Sequence, residues 1–233
     1  MKIKIVSWNI LHIVHEYNYV GTSSLVITEN PDEKERMDKI IAKINQLYED
    51  NEEIIINLQE VPGDYLEKLV KLYGTQVYVR TYDRITSMRV SHPNPYSNMS
   101  ESLVSIVKVK TNLIEKLVYD YDKGKSALIL KFDKFTLHNI HLPFQYPNCV
   151  EITDPNTIVT GDFNCVQTDA LKVFKDFKVC ENECFTHLTR RDGVTVQKIL
   201  DHVLFRGVNI SEKLEVETTE LSDHYLISAF LYY

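Results

Sequence analysis

The chain has 233 residues, 44% of them hydrophobic and 25% charged, with a formal net charge of −7. That length suits one large α/β domain. The acidic balance excludes a protein whose whole surface grips a polyanion, because such binding neutralises several phosphates with Lys and Arg, and no window approaches the roughly 18 consecutive apolar residues of a membrane span.

The opening "MKIKIVSWNI" alternates apolar and polar residues and predicts a strand over 2–8. It has no apolar h-region or small-residue cleavage site, so an intracellular protein, cytoplasmic or nuclear, is expected. In "PDEKERMDKIIAKINQLYED", Met37, Ile40, Ile41, Ile44 and Leu47 fall on one stripe behind an acidic first turn, predicting a helix over 32–49. The apolar strand "EIIINLQE" follows, then a helix over 63–73 carrying Leu66, Leu69, Val70 and Tyr73. Strands are expected at 76–82, 102–110, 113–119, 126–132 and 134–141, several with period 2. Beyond them come a strand at 157–161, a short helix near 168–176, strands near 195–205 and 208–217, and a last strand "YLISAFLYY". The segments 11–31 and 83–100 read as long polar loops, which in compact domains are usually functional or mobile. No repeat or linker divides the chain. Cys149, Cys165, Cys180 and Cys184 show neither a C-x-x-C pair nor zinc-like spacing, so free thiols are expected.

Six of these segments end on an acid, an amide or an imidazole: "VSWN" on Asn9, "INLQE" on Gln59 and Glu60, "LHNIHL" near His141, "GDFN" with Asp162 and Asn164, "KILDHV" with Asp201, and "LSDHYLI" with Asp223 and His224. Each has a bland reading alone: Glu60 an exposed strand end, Asp162 a turn-former, His141 a core histidine, Asp201 an ion-pair partner, Asp223 a cap. Together they suit metal-assisted phosphodiester cleavage. Mg²⁺ takes a few carboxylate or amide oxygens and leaves the rest of its shell to water and phosphate; Glu60, Asn9 and Asp223 offer them. Asp162 with Asn164 could orient an attacking water, His141 and His224 could neutralise a phosphorane, and Asp201 could fix the tautomer of His224.

The ordered set SWN (7–9), LQE (58–60), IHL (140–142), GDFN (161–164), LDHV (200–203) and SDH (222–224) resembles the deoxyribonuclease I-like endonuclease/exonuclease/phosphatase superfamily, which includes tyrosyl-DNA phosphodiesterases, nocturnin-type deadenylases and abasic-site endonucleases. The resemblance spans residues 7 to 224 and implies a four-layer α/β sandwich, two mixed sheets packed face to face with helices outside. It implies Glu60 as principal metal ligand with Asn9 and Asp223 assisting, Asp162 positioning water, Asn164 and His141 on the phosphate, and His224 on the scissile phosphate, oriented by Asp201. The cofactor implied is Mg²⁺, with Mn²⁺ as substitute.

The leading expectation is therefore a Mg²⁺-dependent phosphodiesterase acting on nucleic acid, on short single-stranded segments or strand ends, or on a nucleotide-linked phosphodiester. A phosphoinositide or sphingolipid phosphoesterase of the same fold is the alternative, disfavoured because no stretch has the amphipathic apolar-and-basic pattern of a membrane-surface segment. A catalytically inactive scaffold is the other. Tyr96 and Phe144 are candidate base-stacking residues, with Arg84 and Arg89 near the backbone; the competing reading is that they pack their own loops.

Overall fold

Alternation along the first strand, β1 (Lys2–Asn9), sends Val6 and Trp8 to one side, and Ile3 and Ile5 to the other, where they join two separate apolar clusters. A strand that is apolar on both faces must be covered on both, and in the computed structural model it is. The structure describes residues 2–19, 24–82, 88–89, 92–121, 125–144, 152–191 and 193–233. Elements follow in the order α1 (Val14–Tyr19), α2 (Leu25–Glu29), α3 (Glu33–Asp50), β2 (Ile54–Pro62), α4 (Gly63–Tyr73), β3 (Val77–Thr81), β4 (Glu101–Lys108), β5 (Leu113–Asp120), β6 (Ser126–Phe132), β7 (Thr136–His141), β8 (Thr157–Asp162), α5 (Gln167–Val173), β9 (Lys178–Val179), β10 (His187–Arg191), β11 (Val194–Lys198), β12 (Asp201–Arg206), β13 (Asn209–Ile210), β14 (Glu215–Glu217) and β15 (Leu226–Tyr232).

Two mixed sheets result. The first runs β13-β15-β1-β2-β4-β3, with β14 also on β15; the second runs β5-β6-β7-β8-β12-β9. Only β1 with β2 and β7 with β8 pair in parallel among the described ladders. Met37, Ile40, Ile44 and Leu47 of α3, with Tyr65 and Leu69 of α4, pack on the outer face of the first sheet. Ala170 and Val173 of α5 pack with Ile140, Val159 and Leu204 on the outer face of the second. Ile3, Ile5, Ile55 and Leu103 meet Leu128, Leu130, Ile158 and Val203 between the sheets. The layers are helix, sheet, sheet, helix, the four-layer sandwich expected.

Some local expectations are corrected. The loop expected over 11–31 carries α1 and α2, too short for a 3.6-residue period to register; α2 is capped by Ser24, whose hydroxyl accepts from the Ile27 N–H. The strand expected over 195–205 is two, because the N–H groups of Leu200 and Asp201 both turn to the Thr186 hydroxyl and the ladder breaks there. β10 and β11 pair as a ribbon of their own. The strand expected over 208–217 is likewise two short pieces, β13 and β14, on different stretches of β15. Cys165, Cys180 and Cys184 are free thiols; Cys149 lies outside the described residues.

Candidate active site

The layer between the sheets changes character along its length. On β1 the inward positions run Ile3, Ile5, Ser7, Asn9; on β7 they run Leu137, Asn139, His141; on β8, Ile158, Thr160, Asp162. Register brings the polar ends together: Asn9 lies opposite Gln59, His141 opposite Asp162, and Asp162 opposite Asp201. Buried amides tie the sheets behind the site. Gln59 donates to Ser7 Oγ at 3.1 Å and to Asn139 Oδ1 at 2.8 Å, and Asn139 donates to the Val104 carbonyl at 3.0 Å.

Backbone irregularities aim the key side chains. Between Leu58 and Val61 the β2–β4 register slips, so β2 carries one residue more than its partner, and Glu60 sits there at φ +56. Such a bulge bends the strand and redirects a side chain. Glu60 Oε2 accepts from the His12 N–H at 3.1 Å, while Oε1 lies 3.7 Å from His141 Nε2. In GDFN, a Cβ on Gly161 would overlap the Ile140 carbonyl, so only glycine lets β8 approach β7 this closely. Asn164 follows at φ +53, its N–H bonding Asp162 Oδ1 at 2.8 Å and its amide reaching the Leu142 carbonyl at 2.8 Å.

Asp162 is the hub. Its Oδ2 accepts from Asn9 Nδ2 at 3.1 Å and lies 3.3 Å from His141 Nε2 and 3.7 Å from His224 Nε2. Burial would raise its pKa, but His224 and His141 hold the carboxyl well below the usual range. His224 is anchored from behind, Nδ1 to Asp201 Oδ2 at 2.8 Å. Burial disfavours its cation, yet the Asp201, Asp162 and Asp223 carboxylates prevail and push its pKa well up. Sequence reasoning paired Asp201 with His224, and the two meet as expected.

Glu60 and Asp223 fall in different groups of ligand atoms, which adjoin where His224 Nε2 lies 3.7 Å from Asp162 Oδ2. Glu60 gathers with His141 and Asp162, their ligand atoms within 4.8 Å of one another. Asp223 has its Oδ2 3.4 Å from His187 Nε2, in a group with His187 and His224. Asn9 spends its amide oxygen on the Leu11 N–H at 3.0 Å and turns its NH₂ to Asp162, so it holds the hub carboxylate. The donor set Glu60–His141–Asp162 fits a divalent cation, with carboxylate oxygens on two sides and an imidazole on the third.

Tyr96 is displaced from its expected role. It is buried among the helices, edge-on to His12 at 4.8 Å, and its hydroxyl bonds Glu33, because an apolar ring with one polar tip is best satisfied there. Phe144 is 77% exposed just past His141. Arg89 lies over the Tyr19 ring at 5.2 Å. Arg84 lies outside the described residues.

Several residues at the site escaped sequence reasoning. Lys125 Nζ lies 2.6 Å from His141 Nε2, and the Tyr82 hydroxyl 3.1 Å from His141 Nδ1. His15, on the short α1, meets Glu101 at 2.6 Å and Glu60 at 3.8 Å; burial would lower its pKa, but these carboxylates raise it to about 9. His187 crosses the His224 ring at 4.6 Å. The one signal for Glu101 and Lys125 was their place at strand starts, on the same edge where the recognised strands end.

No family model matches the chain, and no curated protein matches it in sequence. Solved structures do match. ANGEL2, a 2′,3′-cyclic phosphatase, superposes with a TM-score of 0.68 at 12% identity over 99% of this chain and 95% of that one. TDP2 from Caenorhabditis elegans gives 0.63 at 15%, over 100% and 76%, and the human Nocturnin catalytic domain 0.59 at 14%, over 99% and 94%. With two mixed sheets face to face, helices outside and a site where their strand ends converge, the chain has the fold of the endonuclease/exonuclease/phosphatase superfamily.

Proposed function

We propose that the protein is a divalent-metal-dependent phosphodiesterase that hydrolyses phosphodiester bonds of nucleic acid, on short single-stranded segments or strand ends. The observation that carries this reading is the buried Asp162 carboxylate, held by Asn9 and Asn164 and faced by His141 and His224, the latter braced by Asp201. Four neighbours restrict it to one orientation, as a carboxylate that positions a water must be. His224 donates from Nε2 to a non-bridging phosphate oxygen, while Asp201 keeps Nδ1 protonated and the ring in place. Lys125, beside His141, adds positive charge where the phosphorane gathers negative charge. Glu60, His141 and Asp162 would hold the cation, Mg²⁺ or Mn²⁺, which supplies Lewis-acid polarisation of the phosphate when bound.

Nucleic acid is the substrate class that the surroundings favour. Beside the site the β10–β11 ribbon exposes Arg190 and Lys198, and Phe144 offers an exposed ring to a base. Among the described residues no helix is long and apolar enough to cross a membrane. One similar structure is D. rerio TDP2 complexed with single-strand DNA product, with a TM-score of 0.61 at 14% identity, and another is ANGEL2, a 2′,3′-cyclic phosphatase. The test is a panel of short oligonucleotides with ordinary and 2′,3′-cyclic phosphate ends against soluble inositol phosphates, with Mg²⁺ and an Asp162→Asn control. Oligonucleotides should be cleaved far faster. Phosphate release from inositol phosphates with oligonucleotides left intact would overturn the substrate class, and full activity in EDTA would overturn the metal requirement.

A further inference from the structure

Asp201 braces His224, and Asp201 is in turn held by a residue to which the chemistry above gives no part. Thr186, immediately before β10, is fully buried, and its polar atoms are spent around that pair. Its carbonyl accepts from the N–H of Tyr225, the residue after His224, at 2.7 Å, and its own N–H donates to the Lys198 carbonyl at 2.9 Å. Its hydroxyl oxygen accepts from the Leu200 and Asp201 N–H groups, both at 3.0 Å.

Counting protons leaves one donor over. A threonine hydroxyl has two acceptor lone pairs and one proton, and the two N–H groups take both lone pairs, so the O–H points away from them. Asp201 has the complementary need. Its Oδ2 receives His224 Nδ1 at 2.8 Å, while Oδ1 is buried with no hydrogen bond of ordinary geometry from any described residue. A buried carboxylate oxygen left unsatisfied is costly. Burial raises the Asp201 pKa; His224 opposes that most, and a hydrogen bond from the Thr186 side chain opposes it too, as a donor to the charged carboxylate does.

We propose that Thr186 is a positioning residue for the reaction: its hydroxyl proton is held by Asp201 Oδ1, making a chain Thr186–Asp201–His224 that fixes the plane of the carboxylate and, through it, the imidazole. The proposal rests on His224 as the phosphate donor of the reading above. The terminal torsion of an aspartate is broad, so a carboxylate anchored by one oxygen swivels and carries the His224 ring with it. Anchored by both, it keeps Nε2 aimed beside Asp162, 3.7 Å from Oδ2. Glu60, His141 and Asp162, the cation group, make no contact with this hydroxyl among the bonds given above, so turnover and not cation affinity depends on it. The plain alternative is that Thr186 only satisfies two N–H groups where β11 ends and β12 begins. That role uses the lone pairs of the hydroxyl and has no need of its proton.

The test compares Thr186→Val, which keeps the shape without the hydroxyl, with Thr186→Ser, which keeps the hydroxyl. Proton NMR of the EDTA-treated protein reads the His224 Nδ1–H, a far-downfield resonance identified by its loss in His224→Gln. Wild type and Thr186→Ser should show it alike, and in Thr186→Val it should move upfield or exchange away. With Mg²⁺ and an oligonucleotide, kcat of Thr186→Val should fall about ten- to a hundredfold, while KM and the Mn²⁺ affinity read by electron paramagnetic resonance stay within about twofold. Thr186→Ser should keep most of the rate. An unmoved resonance with kcat per folded molecule near wild type would leave Thr186 a stability role and overturn the proposal, as would a serine variant that loses as much as the valine one. If circular dichroism shows Thr186→Val unfolded, the wild type decides: a slowly exchanging Thr186 hydroxyl proton with a nuclear Overhauser contact to Asp201 supports the chain, and its absence overturns it. Oligonucleotides left intact by the wild type, with the resonance responding as expected, would sink the proposed function and leave the brace standing.

Discussion

The two ends of the layer between the sheets use the same strands to opposite purposes. At one end Leu137, Ile158 and Val203 pack with Ile3 and Ile55. Two residues further along β7 and four along β8, Asn139 and Asp162 face inward instead. The apolar end is stabilised without direction, in proportion to area removed from water. The polar end depends on every donor finding its acceptor, and some do not: Asn57 Nδ2, Gln59 Oε1 and Thr160 Oγ1 have no partner among the described residues. A fold would not retain such groups for stability alone. The apolar end holds the sandwich closed so that the polar end can present carboxylates and imidazoles in fixed orientation.

The comparison breaks most sharply at Asp162. Asp162→Asn should lower turnover on the cleaved oligonucleotide by about 10²–10⁴ while the melting temperature stays near wild type; turnover within a few-fold of wild type would remove Asp162 from the chemistry. The brace behind His224 is next. Asp201→Asn and His224→Ala should each cost a large part of the rate, and the double variant little more than the worse single one, since the pair acts as one unit. Additive losses in activation free energy would mean that the two act apart.

At the apolar end the effect moves to stability. Leu137→Ala should cost about 2–5 kcal/mol of unfolding free energy, read by urea denaturation, with turnover per folded molecule unchanged. Loss of turnover ahead of stability would show that the two ends are not separable. Gln59→Ala sits at the border: it strands Ser7 and Asn139 and should cost about 1–3 kcal/mol, with some loss of rate as the site loosens.

The smallest effect is a slope with pH. Burial holds the His138 imidazole down at about 4, outweighing the Asp154 carboxylate. The unfolded chain takes up this proton near the ordinary value, about 6.5, and the folded chain only near 4. The neutral ring therefore contributes stability fully present above pH 6.5 and lost progressively as pH falls toward 4, at up to about 1.4 kcal/mol per pH unit for one proton. Burial lowers His202 as well. His138→Gln should flatten the stability curve in this window; an unchanged slope would assign the acid sensitivity to other groups.

Much of this was legible in the chain. The α4 helix over 63–73 and the β6 strand over 126–132 lie where period and punctuation set them, because local apolar spacing decides which face a segment can bury. The polar strand ends were visible for the same reason. Neighbours were not. The sequence by itself determined the strands, the main helices and the residues that break the apolar pattern. Only tertiary structure decided that Asn9 would hold Asp162 across 153 residues, that Tyr96 would be buried, that Asp223 would group with His187 and His224, and that His15, Glu101 and Lys125 would enter the site. The cause is physical: periodicity sets a side chain's face, but which faces meet is set by register between distant strands, and at Glu60 by a one-residue bulge that no local pattern encodes.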